Sequence, residues 1–293
     1  MKKTLSLISL LLLCSLSMGQ YRIPHDAQAQ LLSKSKHLQN ATLFATERCN
    51  VLLLYENSIC RLDCGIEDTA KILQVKYEKP IRNMFYVGET LVASIDSKII
   101  AFPKNDNRIS SYQNFEILTR KNQKHFLAFP ALSDNYFFIV NHKWDKKSKQ
   151  KRSVIQTLNI RNKKVETIFE ISGWVNNISG DTSVVCFSIE NNLFLVKNKM
   201  IQLLCSETSE ISSVCLSPFG LFYSTYQSVT YMIDAKRKVV IVEQGALQLI
   251  DNCNTLYMIL IDGSLIRIHN TLAFAEFYNL FEQYNDEDDN THH

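Results

Sequence analysis

Short apolar runs alternate with turn residues along almost the whole chain, and the runs fall into groups of four. The stretch from Ile211 to Gln244 shows this best. One run ends at Ser217-Pro218 and a turn follows at Phe219-Gly220; further runs cover Leu221 to Tyr226, Val229 to Ile233 and Val239 to Val242, with a basic turn at Lys236-Arg237-Lys238. Runs this short, rich in Val, Ile, Phe and Tyr and bounded by turn formers, read as strands. Four strands on short turns make one antiparallel meander, which leaves a face uncovered unless it stacks on others or closes into a barrel.

The grouping recurs on both sides of that stretch. A first unit has Leu43 to Ala45, Val51 to Tyr55, Ile59 to Leu62 and Ile72 to Tyr77; a second has Met84 to Val87, Leu91 to Ile95, Ile99 to Phe102 and Ile109 to Phe115. A third has Phe126 to Phe129, Tyr136 to Asn141, Val154 to Ile160 and Val165 to Ile171; a fourth has Trp174 to Ile178, Ser183 to Ile189, Leu193 to Val196 and Met200 to Cys205. After the opening stretch as fifth, a sixth has Leu247 to Ile250, Leu256 to Ile261 and Leu265 to His269, turning at Asn252 to Asn254 and Asp262-Gly263. Its fourth strand is either Leu272 to Phe277 or a segment lent by the N-terminal arm. The Asp-Gly pair is the best short hairpin signal in the chain. Units starting roughly 35 to 48 residues apart match the period of a four-stranded propeller blade. The expected fold is all-β, a β-propeller of six blades of four antiparallel strands over residues 41–280. Seven blades, a β-sandwich or a β-solenoid share the short strands and frequent turns, and the regular grouping in fours favours the propeller.

Val214 to Thr225, VCLSPFGLFYST, resembles the inner-strand, Ser-Pro, turn and second-strand pattern of TolB-like and WD-repeat-like propellers. The resemblance is one of type, spread over six weak repeats. No Trp-Asp dipeptide closes a blade, there is no Tyr-Trp-Thr-Asp motif, and Phe219-Gly220 stands where Asp-Gly usually follows Ser-Pro. It implies the fold and leaves the subfamily open.

The N-terminus departs from the pattern. Lys2 and Lys3, the apolar stretch Leu5 to Leu16 and the small-x-small site Ser17-Met18-Gly19 make residues 1–19 a signal peptide, with Gln20 first in the mature chain. The apolar stretch is short for a membrane span, and no comparably long one follows, so no transmembrane segment is expected after cleavage. Export to the periplasm or surface of a bacterium follows. A lipid anchor on Cys14 is the alternative, although Leu13 stands where that signal wants a small residue. Residues 20–40 form an N-terminal arm, in which Gln28 to Lys36 reads as a short helix or an extended segment; closing the fold is a role open to it.

With 46% hydrophobic residues, 8 Gly and 5 Pro, the chain has ample material for a packed core. Its net charge of +3 falls to about +1 with the leader's two lysines removed, which argues against a general nucleic-acid binder. The charge is uneven: Lys143 to Arg152 (KWDKKSKQKR) is a basic insertion, and Asn285 to Asn290 (NDEDDN) lies in an acidic tail spanning 281–293. Of eight cysteines, seven remain after cleavage, an odd number for an exported chain. Cys186, Cys205 and Cys215 sit in apolar runs as buried thiols; a local disulfide among Cys49, Cys60 and Cys64 is open to their spacing.

Catalytic constellations are missing from the sequence. There is no Gly-x-Ser-x-Gly, His-Glu-x-x-His, phosphate loop or dinucleotide fingerprint, no zinc-ligand spacing and no calcium loop around Asp286 to Asp289. Ser33-x-x-Lys36 and Ser148-x-x-Lys151 lie in Lys/Ser-rich segments where the match arises by chance. His125, His142 and His269 are candidates for acid-base work but stand alone. Trp144 is different in kind, because an indole on a basic insertion serves recognition better than stability. The candidate binding residues are therefore His142, Trp144, Lys146, Lys147, Lys149, Lys151 and Arg152, with no catalytic residue, metal or cofactor assigned. The expected function is a non-enzymatic scaffold for a protein or glycan partner in the cell envelope, since loops on a rigid frame serve binding readily. A propeller-fold glycan hydrolase or lyase, and a structural subunit of an envelope assembly, are the alternatives.

Overall fold

A computed structural model describes residues 23–24, 26–45, 51–55, 58–61, 71–74, 81, 83–95, 98–102, 116–118, 126–145, 149–234 and 237–277. The expected signal segment, the acidic tail, His125 and the expected strand Ile109 to Phe115 lie outside them. Among the described residues, 24 strands form six four-stranded antiparallel sheets. The first blade holds β2 (Thr42–Ala45), β3 (Val51–Tyr55), β4 (Ser58–Arg61) and β5 (Lys71–Gln74); the second holds β6 (Asn83–Val87), β7 (Thr90–Ile95), β8 (Lys98–Phe102) and β9 (Glu116–Ile117). Blade three is β10 (Phe126–Phe129), β11 (Tyr136–Asp145), β12 (Gln150–Asn159) and β13 (Val165–Ser172). Blade four is β14 (Val175–Gly180), β15 (Val184–Ile189), β16 (Asn192–Lys197) and β17 (Met200–Ser206). Blade five comprises β18 (Ile211–Ser217), β19 (Gly220–Thr225), β20 (Val229–Met232) and β21 (Lys238–Val242), and blade six β22 (Ala246–Asp251), β23 (Thr255–Leu260) and β24 (Ser264–His269).

The fourth strand of blade six comes from the other end of the chain. β1 (Gln28–Lys34) pairs antiparallel with β24, Gln28 opposite His269 and Lys34 opposite Ser264. Of the two closures open to the sequence, the arm supplies it, and residues 272–277 are helical instead. Neighbouring inner strands touch in the cyclic order β2, β6, β10, β14, β18, β22 and back to β2, so the sheets form a closed ring.

Apolar side chains between successive sheets form the core. Phe137, Phe138, Phe187, Phe222 and Tyr223 are fully buried, and Phe187 stacks on Phe194 with centroids 5.1 Å apart. Each such side chain contributes about 1.5–3 kcal/mol through burial. Cys186 and Cys215 are buried free thiols, as their apolar runs lead one to expect, and burial pushes the Cys186 thiol up to about 12. Cys253, read only as a turn residue, is disulfide-bonded. Cys205, Cys186 and Cys215 are free, so none of them is its partner.

Side chains lace neighbouring blades together, because no strand ladder joins one sheet to the next. Asn83 on β6 donates to the Ala128 carbonyl on β10 (2.9 Å). Ser153 on β12 donates to Gly173 O (2.8 Å) and accepts from Val175 N (2.9 Å), tying blade three to blade four. Ser179 accepts from Leu216 N, and Ser213 from Leu249 N, at 2.9 and 3.0 Å. Ser224 on β19 accepts from Ala246 N (2.6 Å), and Gln248 on β22 grips both the N–H and the carbonyl of Leu43 on β2 at 2.8 Å each.

The Asp262-Gly263 turn does more than join two strands. Gly263 sits at φ +79°, and a Cβ there would lie 2.1 Å from Ser35 O, the backbone just after β1. Ser35 N donates to Gly263 O (2.9 Å), and Lys34 pairs with Asp262 (2.9 Å). Burial alone would raise the Asp262 carboxyl, but hydrogen bonds from Lys34 and Ser264 outweigh it and hold the group at about 2. Gly263→Ala should therefore cost at least about 1–3 kcal/mol through backbone strain alone. Thermal unfolding followed by circular dichroism should show a midpoint lowered by several degrees; an unchanged midpoint would mean that this turn does not hold the closing strand.

Candidate functional site

The described residues of the basic insertion are mostly strand. Its flanks continue the strands of blade three: β11 runs to Asp145 and β12 resumes at Gln150, so the hairpin projects beyond β13, whose last partner on β12 is Arg152. The sequence reading failed here because Lys and Arg break the apolar pattern, whereas a strand exposed on both faces tolerates them. Strand alternation then sorts the candidate residues. His142 lies opposite Ser153 and Trp144 opposite Lys151, all on one face; Lys143 opposite Arg152 lies on the other. Lys149 stands at the tip with φ 55°. Lys146 and Lys147 lie outside the described residues.

The first face meets Trp174, which precedes β14. His142 stacks on the Trp174 ring with centroids 5.5 Å apart and planes 15° from parallel, while the Lys151 ammonium sits 4.6 Å from the ring centroid. His142 Nε2 donates to the Val175 carbonyl (2.9 Å), which fixes its tautomer. Gly173 turns the chain into position at φ +100°; a Cβ there would meet Ile189 Cγ2 at 2.7 Å. Trp174 is nevertheless 39% exposed, and Trp144 is 54% exposed. Of the seven candidates, the structure thus gathers His142, Trp144 and Lys151 on one surface and turns Arg152 away.

Trp174 was missed by sequence reasoning, which took it as the first residue of the strand Trp174 to Ile178. The available signal was the Gly173-Trp174 pair, a turn former beside an indole. Together with Lys151, Asn176, Glu190, Asn191 and residues 208–210, it lines a pocket of about 490 Å³. Trp174 and residues 208–210 lie where an outer strand passes to the next inner strand, Glu190 and Asn191 where the second and third strands of blade four turn, and Lys151 and Asn176 near the ends of β12 and β14 beside them.

The 207–210 connection is held firmly. Glu207 N donates to Asn191 O (2.8 Å), Asn191 Nδ2 donates to Glu207 O (2.6 Å), and Ile211 N donates to Glu190 O (2.9 Å). The Glu207 carboxylate accepts from Tyr223 OH (2.5 Å) and from the Lys238 ammonium, joining blades four and five. Asn176 Nδ2 reaches Glu210 Oε1 (3.1 Å). The Ser209 hydroxyl is buried and has no hydrogen-bond partner.

A second, larger cavity of about 760 Å³ is the central channel, lined by all six inner strands. Its amides and hydroxyls, Asn83, Asn177, Ser179, Ser213 and Gln248 among them, are engaged with neighbouring strands. Asp251 in its wall is raised by burial, against hydrogen bonds from Ser217 and Thr271. His269 ends β24 with Nδ1 3.3 Å from Thr255 Oγ1, a structural position away from the pocket at Trp174. Among the described residues no cluster of His, Cys, Asp and Glu is placed to hold a metal ion, and no helix is long and apolar enough to cross a membrane.

Burial pushes the Glu207 carboxyl up, but hydrogen bonds from Lys238 and Tyr223 outweigh it and hold the group below the ordinary glutamate range. A folded-state value below the unfolded one stabilises at neutral pH, and that contribution is lost as the pH falls through the acidic range. Glu207→Gln should lower the thermal midpoint near pH 7, with the difference from the parent chain shrinking towards about pH 3. Equal midpoints near neutrality would remove Glu207 as the anchor of this connection.

No protein-family model matches the chain, and no curated protein matches it. Solved structures do. The chain is similar to a catalytically inactive virginiamycin B lyase from Staphylococcus aureus with quinupristin, at TM-score 0.54 and 8% identity over 83% of this chain and 99% of that one. A chain of the mitotic checkpoint complex matches at TM-score 0.51 and 8% identity, over 86% of this chain and 93% of that one. The extracellular domain of a putative one-component system from B. thetaiotaomicron matches at TM-score 0.52 and 12% identity, over 77% of this chain but only 32% of that one. Identities this low carry the fold alone. By its own topology and by these likenesses, the chain is a β-propeller.

Proposed function

We propose that this propeller is an exported bacterial binding module, which holds a protein or glycan partner in the cell envelope through the face carrying the blade-three hairpin. The observation that carries the reading is the mounting of Trp174: His142 and Lys151 hold its ring in place beside the exposed Trp144, on a hairpin that projects from a rigid ring. An aromatic side chain fixed before its partner arrives loses little entropy on binding, and Trp side chains concentrate binding energy at interfaces. Export is supported by the Lys2-Lys3 and Leu5 to Leu16 leader pattern and by the disulfide at Cys253, a bond that persists in oxidising compartments. The polar groups of the channel are spent on holding strands together, which favours binding over catalysis at that position.

The test is co-sedimentation of the purified mature chain with envelope fractions of the source bacterium. Trp144→Ala and Lys151→Ala should each weaken capture by roughly ten- to thirty-fold, the effect of losing about 1.4–2 kcal/mol at an interface hot spot. Thermal midpoints within a degree or two of the parent are expected for both variants, as these are surface positions. Capture unchanged in both would exclude the hairpin face as the binding surface.

A further inference from the structure

We infer that the pocket at Trp174 takes one pyranose ring of a neutral glycan. This deepens the binding reading above and rests on it. A pyranose has an apolar face of C–H groups and a rim of hydroxyls, so its site needs a flat apolar platform surrounded by groups that donate and accept hydrogen bonds. The pocket offers both. Trp174 supplies the platform, and Asn176, Glu190, Asn191, Ser209 and Glu210 stand around it. Its volume of about 490 Å³ lies in the range of small-molecule sites.

Two observations select a hydroxylated, uncharged ligand. The Ser209 hydroxyl is buried without a hydrogen-bond partner, a state that costs stability unless a ligand relieves it. The charges of the pocket work against ions of either sign at the ring. A ligand cation over Trp174 meets the Lys151 ammonium, already 4.6 Å from the ring centroid. An anion meets Glu190 and Glu210. A neutral sugar meets neither obstacle and uses the carboxylates as hydroxyl acceptors.

The site is also built in advance. His142 and Lys151 come from one face of the hairpin and hold the indole from there. The connection carrying Ser209 and Glu210 is fastened through Glu207 to Asn191, Tyr223 and Lys238. A sugar binding weakly through a few hydroxyls gains most from such fixed geometry.

The chain contains two tryptophans, so each indole N–H is resolved and assigned in a proton–nitrogen NMR spectrum by comparison with Trp174→Phe. The mature chain is titrated with neutral hexaoses of glucose, mannose and N-acetylglucosamine, and separately with a hexalysine peptide. At least one neutral hexaose should shift the Trp174 resonance saturably. Ser209→Ala should weaken that binding about tenfold, one hydrogen bond's worth, and Trp174→Ala should abolish it in calorimetry while its circular dichroism stays that of the parent. No shift with any hexaose, or a shift with hexalysine alone, would overturn the assignment. Sugar binding absent with envelope capture intact sinks this inference only; sugar binding present with capture independent of Trp144 and Lys151 sustains it and sinks the hairpin reading.

Discussion

Six sheets that share no strand ladder have to be held in a ring by something else, and here it is apolar packing between successive sheets together with a set of side-chain to backbone hydrogen bonds from one blade to the next. Asn83, Ser153, Ser179, Ser213, Ser224 and Gln248 each use a short polar side chain to satisfy a backbone group of the neighbouring blade. The inner-strand backbone cannot find these partners within its own sheet on the channel side, and an unmet buried N–H or carbonyl is expensive. The bonds of Asn83, Ser179, Ser213 and Gln248 also take up polar groups of the channel wall, so the requirement that closes the ring consumes part of the chemistry that a central catalytic site would need.

The chain's two ends are joined under the same constraint. β1 completes blade six, and the Asp262-Gly263 turn presses on the backbone that leaves β1. The sequence shows the turn clearly but not its second task, since nothing local in Asp-Gly reveals which distant segment lies against it. The fold class and most strands were legible because apolar runs and turn residues are local signals. The closing strand was left open between two segments because Gln28 to Lys34 has no clean alternation: its partner on one side only is β24, and Leu31 is half exposed.

Serine explains a different part of what was hidden. Ser94, Ser188 and Ser224 each follow a run of apolar residues in the second strand of a blade and are all buried. Read locally, serine is a turn former, and the use of Ser224 as a latch on Ala246 N appears only when the next blade is in place. The candidate site was half legible for a related reason. His142, Trp144 and Lys151 were visible as an aromatic residue among basic ones, but the meeting of His142 and Lys151 with Trp174 depends on β12 facing β14 across a blade boundary, through Ser153 and Gly173. Of the cysteines, Cys186 and Cys215 follow the apolar runs that contain them, whereas the bond at Cys253 depends on distant chain geometry that no spacing rule supplies.

The ring thus acts as a frame that gives the hairpin and the 207–210 connection fixed positions relative to each other. A surface so mounted differs from a mobile loop: its aromatic platform and its buried hydroxyl are set before any partner arrives. All of this depends on the inter-blade bonds being formed in solution, and native-state amide hydrogen exchange tests that most directly. The N–H groups of Leu43, Val175, Leu216, Ala246 and Leu249, each donated to a side chain of another blade, should exchange as slowly as those in the centres of the strand ladders. Exchange of these five at the rates of exposed turns, with the ladders still protected, would contradict the account.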